Sequence, residues 1–144
     1  MNLFKEWQPN LHIDMHCPWL RGNFFQKYNT NEYVYQVGQP PPADNKEMRA
    51  FAKCLEESRL SALEYHAADD LGFNVGWNSP GNYDQGMPLT MWVVKCYAKC
   101  LYATTFEIPF ANQRFYTLHV QDFKAFGRDI AAGLKKYLET KEKR

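Results

Sequence analysis

A few side chains stand where their chemistry is hard to explain as ordinary surface polarity. Glu107 sits inside TTFEIPF (104–110), between Phe106 and Ile108. A carboxylate among apolar neighbours is costly unless it is paired, ligating or catalytic. Burial would also lift its pKa toward the range of a general base. The structural alternative is a Glu on the polar face of a half-buried strand. His16 and Asp14 form the second case. Residues two apart on a strand face the same way, roughly 6.6 Å apart by the usual rise. A histidine that ligates a metal usually has a carboxylate or carbonyl behind its other ring nitrogen, and Asp14 suits that part. The alternative is a polar strand at the surface. His12 shares the face but lies about 13 Å from His16 on the same arithmetic, too far to clasp one ion. His66-x-x-Asp69 and His119-x-x-Asp122 have the look of metal pairs, but both fall where elements meet loops, and incidental spacing accounts for them.

The elements that must position these groups follow from periodicity. Leu11 to His16 alternates between Pro9 and Pro18 and reads as a strand, with Leu11, Ile13 and Met15 toward the core. Residues 18–32 read as loop, and Tyr33 to Val37 as a second strand. Asp44 and Glu47 resemble a capping box for a helix over 44–60, with Met48, Phe51, Ala52 and Leu55 at helical spacing. Ser61 to Tyr65 could extend that helix or begin a strand. A long Gly/Asn/Asp loop covers 69–87, and such loops inside small domains are usually functional. Pro88 suits the first position of a largely buried helix, Leu89 to Cys100. Tyr102 to Phe110 reads as a central strand stopped by Pro109. A hairpin or turn at Ala111–Arg114 leads to a strand or extended piece, Phe115 to Val120. Asp122 opens a last helix whose stripe is Phe123, Phe126, Ile130, Leu134 and Leu138. Strands mixed with helices make the class α/β.

Composition narrows the function classes. The chain has 144 residues, long enough for one domain with a real core. With 17 Lys+Arg against 16 Asp+Glu, it lacks the basic surplus of a generic nucleic-acid binder. No apolar run approaches the ~18 residues of a membrane span, and MNLFKEWQPN has no apolar export core. Cys17, Cys54, Cys96 and Cys100 form no C-x-x-C pair; small buried thiols account for them and fit a reducing compartment such as the cytoplasm. Four Trp, nine Tyr and ten Phe suggest large buried surfaces or an aromatic cleft, for which Trp19, Trp77, Tyr83 and Trp92 are candidates.

Four segments in order resemble the C-terminal half of the zinc carboxypeptidase-like (metallocarboxypeptidase) family: IDMHCPW (13–19), GMPLTMW (86–92), TTFEIPF (104–110) and FKAFGRDIAAGLKKYL (123–138). The resemblance covers nearly the whole chain. It implies a mixed β-sheet packed by helices, with residues 1–144 as a single, incomplete domain of that kind. It implies that His16 matches the family's third zinc ligand and Glu107 its general base. Tyr83, nine residues before Trp92, matches a mobile substrate-side tyrosine, and Thr90 falls near the position that tunes side-chain preference. The implied cofactor is zinc. The implied reaction is hydrolysis of a terminal peptide bond or of an acylated amino acid, by a metal-activated water and a Glu base.

The sequence departs from the family at two points. The H-x-x-E motif that supplies the other two ligands is not found ahead of His16. The family's substrate-binding arginines also have no match, since Arg21, Arg49, Arg59, Arg114 and Arg128 sit in no family motif. One protein ligand cannot hold zinc in a catalytic geometry. The expectation is therefore a segment of a longer enzyme, inactive alone. Two other readings stay open: a non-catalytic binding protein with an aromatic cleft, and an interaction protein of unrelated α/β fold. Metal content by elemental analysis separates the first of these from a hydrolase.

A sheet lacking its neighbours exposes strand edges and apolar surface. The chain should self-associate or take a partner that completes the sheet. Sedimentation at increasing concentration checks this: growth in mass is the expected result, and a monomer throughout counts against it.

Overall fold

The computed structural model describes residues 6–17, 33–40, 45–97 and 100–142. The loop read over 18–32, with Trp19 and Arg21, lies outside them. So do Pro41, Pro42, Asp44 and the terminal Lys143 and Arg144.

The centre of the structure is a mixed three-stranded sheet in the order β1-β3-β2. Strand β1 (Leu11–His16) runs parallel to β3 (Tyr102–Glu107), and β2 (Tyr35–Val37) runs antiparallel to β3 on its other side. Helix α1 (Lys46–Ser58) follows β2. Helix α2 (Leu89–Cys96) precedes β3, and a two-residue hairpin of β4 (Asn112–Gln113) and β5 (Tyr116–Thr117) leads into α3 (Val120–Glu142). The α/β class with a mixed sheet packed by helices is what the structure has. Among the described residues no helix is long and apolar enough to cross a membrane.

Alternation along β3 divides the molecule. Tyr102, Thr104 and Phe106 point to one face, and Thr105 and Glu107 to the other. On the first face α1 and α3 pack over the strand. Phe51 of α1 meets Phe106 edge-on at 6.3 Å and Tyr102 at 5.1 Å, and Phe126 of α3 meets Phe106 at 6.1 Å. Aromatic pairs at such separations add about 0.5–1.5 kcal/mol each beyond the area they bury. Leu11 and Ile13 of β1 pack on this core, as expected, but Met15 at the end of the strand is exposed. Six aromatics form this core (Phe51, Tyr65, Tyr102, Phe106, Phe126 and Tyr137), while Trp7, Phe110, Phe115 and Tyr116 are exposed.

One buried carboxylate and one glycine hold the helices in place. The Asp129 carboxylate of α3 accepts the backbone N–H groups of Leu60 (3.1 Å) and Ser61 (2.9 Å), just beyond the end of α1. Gly133 lets α1 and α3 touch: a Cβ there would lie 2.9 Å from Leu55 Cα.

Several local expectations change. The N-cap of α1 is Asn45 without a side-chain capping bond; its side chain accepts the Gln39 N–H instead. Glu47 does not close a capping box, because Tyr137 and Lys141 of α3 take its carboxylate. Residues 61–65 neither extend the helix nor form a full strand; Tyr65 makes one isolated bridge to Val34. Helix α2 ends at Cys96, so Cys96 and Cys100 do not share a helix face, and Pro88 is its N-cap. Within the strand or extended piece read over 115–120 only Tyr116–Thr117 pairs, and the last helix begins at Val120, two residues before Asp122. His119 stands just before it, and its N–H donates to Asp122 Oδ2 at 2.7 Å. That bond closes the first turn and explains the His-x-x-Asp spacing. The α3 stripe turns inward at Tyr137, which is fully buried, and leaves Leu138 partly exposed.

The helix contact is tested by two substitutions in α3. Gly127 has open space where a Cβ would go, so Gly127→Ala should stabilise by about 0.5–1 kcal/mol through helix propensity. Gly133→Ala meets backbone, and overpacking of about 1–3 kcal/mol should outweigh that gain. Urea unfolding of both variants should show midpoints shifted in opposite directions.

Candidate active site

The second face of the sheet carries the site. His16 ends β1 and Glu107 ends β3, and the parallel ladder sets them as direct partners. The Ile108 N–H donates to the His16 carbonyl at 2.8 Å and closes the ladder just past both residues. Ninety-one positions apart in sequence, the two side chains meet: His16 Nδ1 lies 4.0 Å from Glu107 Oε1. Asp14, two residues back on the same face, places Oδ2 3.1 Å from His16 Nε2. The pairing fixes the orientation of the imidazole, with Nε2 on Asp14 and Nδ1 toward Glu107.

Glu107 is 6% exposed, and its Oε2 has no hydrogen-bond partner among the described residues. Burial pushes its carboxyl up to about 7, and the charge of Asp14 adds to the rise. A carboxyl poised there can hold or release a proton at neutral pH, as a general base must. His12, at the other end of β1, does not line this cleft. Burial lowers its pKa, and Asp14 opposes that shift.

A cavity of ≈ 120 Å³ opens beside the pair. His16, Glu107, Tyr83 and Thr90 all line it, so the predicted site residues share one cleft, with Asp14 in contact behind His16. Trp77 supplies a further aromatic wall. Trp92 does not; it packs against Tyr97, ring centroids 5.3 Å apart.

Tyr83 lies on a single 3₁₀ turn, Pro80–Tyr83, inside the long loop. Its hydroxyl donates to Asn78 Oδ1 at 2.6 Å. Asn78 is fully buried, and its amide donates to the carbonyls of Gly38 (2.9 Å) and Gly72 (3.1 Å). The tyrosine expected in a flexible loop is thus tied to the end of β2. Burial and the charge of Glu107 raise its phenol further above the ordinary value, keeping it protonated. Thr90 opens α2, and its hydroxyl lies 2.8 Å from that of Thr105, both buried.

Sequence reasoning missed Thr105, Asn78 and Gln39. Thr105 was within reach, because it stands two before Glu107 on the same strand and so faces the same way. Asn78 and Gln39 lie in irregular segments, where no period indicates direction. His66 pairs with Glu56 (3.6 Å) and Glu64 (3.4 Å), away from the cleft. The four cysteines form no disulfide, and against the expectation of small buried thiols only Cys54 is buried; Cys17 and Cys96 are exposed and Cys100 is half-buried.

Zinc is tested against these donors. His16 Nδ1 is one suitable nitrogen, with its other nitrogen held by a carboxylate. Among the described residues, however, no three His, Cys, Asp or Glu side chains are grouped to hold a metal, and a catalytic zinc takes three protein ligands. These residues alone do not fit a zinc site. Nor does any described Lys or Arg line the cleft to receive a carboxylate. No family model, curated protein or solved structure matches the chain.

The raised carboxyl has a stability consequence. Its folded pKa lies above its unfolded value, so the native state holds the proton more tightly than the unfolded one. Stability from this group is therefore fully present below about 4.5 and is lost as pH rises toward about 7. Glu107→Gln should be nearly neutral at pH 4 and stabilising at pH 8 by on the order of 2–3 kcal/mol. Denaturant unfolding at the two pH values checks this; equal effects would place Glu107 in a solvated environment.

Proposed function

We propose that this chain carries the base-bearing part of an amide hydrolase of the zinc carboxypeptidase type. The observation behind this reading is Glu107: a buried carboxyl with a vacant acceptor oxygen, poised near neutrality on the wall of a cleft beside an oriented histidine. The four-segment resemblance supports the same assignment.

In this reading Glu107, as the carboxylate, accepts a proton from the attacking water and delivers it to the leaving amine. Asp14 keeps the His16 imidazole turned so that Nδ1 faces the cleft, where it would offer one ligand were a metal bound. The remaining ligands would come from residues beyond those described, on this or another polypeptide. Tyr83 presents a protonated hydroxyl on the substrate side, already positioned by Asn78. The Thr90–Thr105 pair forms a polar patch in the cleft wall and bears on which side chain is accepted. The substrate is a peptide or an acylated amino acid.

The cleft also supports a second reading, a binding protein without turnover. It is favoured by the faces of Trp77 and Tyr83 and by the closed local tether on the tyrosine.

The test is hydrolysis of N-acylated amino acids and short peptides, with zinc, by the chain alone and with an H-x-x-E-bearing segment supplied in trans. The chain alone should be inactive and the complemented form active. Glu107→Gln should then cost about 10²–10⁴-fold in kcat, with KM little changed. The kcat/KM should rise with pH through about 7 as Glu107 loses its proton. Chelator-resistant hydrolysis by the isolated chain, or full activity in Glu107→Gln, would overturn the reading.

A further inference from the structure

Gln39 is 5% exposed and forms part of the wall of the cleft that holds Glu107. Its backbone is clamped on both sides by Asn45. The Gln39 N–H donates to Asn45 Oδ1 at 3.1 Å, and Asn45 Nδ2 donates to the Gln39 carbonyl at 3.4 Å. Its side-chain amide donates through Nε2 to the Val37 carbonyl at 2.9 Å, a bond that fixes which end of the amide is oxygen. What remains is Oε1, buried and without a partner among the described residues. A buried carbonyl left in this state is destabilising, and a ligand that donates relieves it.

The neighbours restrict that ligand. No described Lys or Arg lines the cleft, and Val37, Trp77 and Met91 make much of its wall apolar. A neutral acceptor in such a place is best met by a neutral donor. If the cleft is the substrate site of an amide hydrolase, as read above, that donor is an amide N–H.

We infer that Gln39 is a positioning residue whose side-chain carbonyl accepts the N–H of a secondary amide bound in the Glu107 cleft. It fixes the orientation of the amide group while Glu107 serves the water. The inference rests on the hydrolase reading for the chemical class of ligand, and on the geometry for the residue. Gln39 also borders a second cavity of ≈ 140 Å³ on the side of Tyr97 and Cys100, so the experiment must say which side the acceptor serves.

The probes are N-propylacetamide and its N-methyl derivative, which lacks the donor, titrated into the full chain. In the wild type, N-methylation should weaken binding about 5- to 10-fold. In Gln39→Leu the two probes should bind alike, because acceptor and donor deletions act on one bond. Equal affinities in the wild type, or an unchanged ratio in Gln39→Leu, would overturn the inference. Should the variant fail to fold, heteronuclear NMR of the wild type decides. N-propylacetamide should shift the Gln39 side-chain amide together with the Trp77 indole; shifts confined to Tyr97 and Cys100 would overturn it. The measurement needs neither metal nor turnover. A chain that shows the Gln39-dependent ratio but never hydrolyses loses the catalytic reading alone, and one that hydrolyses without the ratio loses this inference alone.

Discussion

The register of β1 against β3 is the constraint on which everything at the site depends. Strand side chains alternate, so a slip of one residue would carry His16 and Asp14 to the core face and bring Met15 to the cleft. The register is held from both faces. Leu11 and Ile13 must reach the aromatic core under α1 and α3, and the Ile108 N–H must reach the His16 carbonyl. The carboxyl and the imidazole meet because burial on the far side of the sheet permits no other pairing.

β2 needs a different lock, because three residues give little apolar area to specify a register. The lock is polar. Gln36, fully buried on the core face, donates through Nε2 to the Tyr65 hydroxyl at 2.7 Å and to Asp70 at 3.1 Å, and its side-chain oxygen accepts from Tyr102. Its backbone N–H donates to Asp70 Oδ1 at 2.8 Å, and its carbonyl accepts from Leu71. Burial lifts Asp70 to about 7 against the pull of these bonds. A satisfied network of this kind ties a short strand to one arrangement, since breaking any member leaves others unpaired in a dry interior. The next residue, Val37, faces the cleft, so the network on one face sets the wall of the other.

Much of the fold was legible because the longer elements obey simple periods. β1 was read to its observed ends, and the bodies of α1 and α3 followed from their apolar spacing. The mistakes cluster where side-chain bonds override local pattern. Glu47 belonged to a helix-start signature until Tyr137 and Lys141, some ninety residues on, claimed its carboxylate. Cys100 fell outside α2 because the backbone leaves helical geometry at Tyr97. At the site, Glu107 was visible as a charge in an apolar strand, and Thr105 follows from it by alternation. Asn78 and Gln39 were hidden because their burial comes from the packing of irregular loops, which no short window of sequence encodes.

Phe106 and Glu107 are adjacent in the chain yet answer to separate demands. One packs among Phe51, Tyr65 and Phe126; the other faces the cleft. The central strand thus interleaves two nearly independent alphabets, one written at even positions for the core and one at odd positions for the ligand. Variation at Thr105, or at Thr90 across from it, can redraw the cleft while the even positions keep the molecule folded. A lineage carrying this strand could therefore wander among ligands by a few changes on one face.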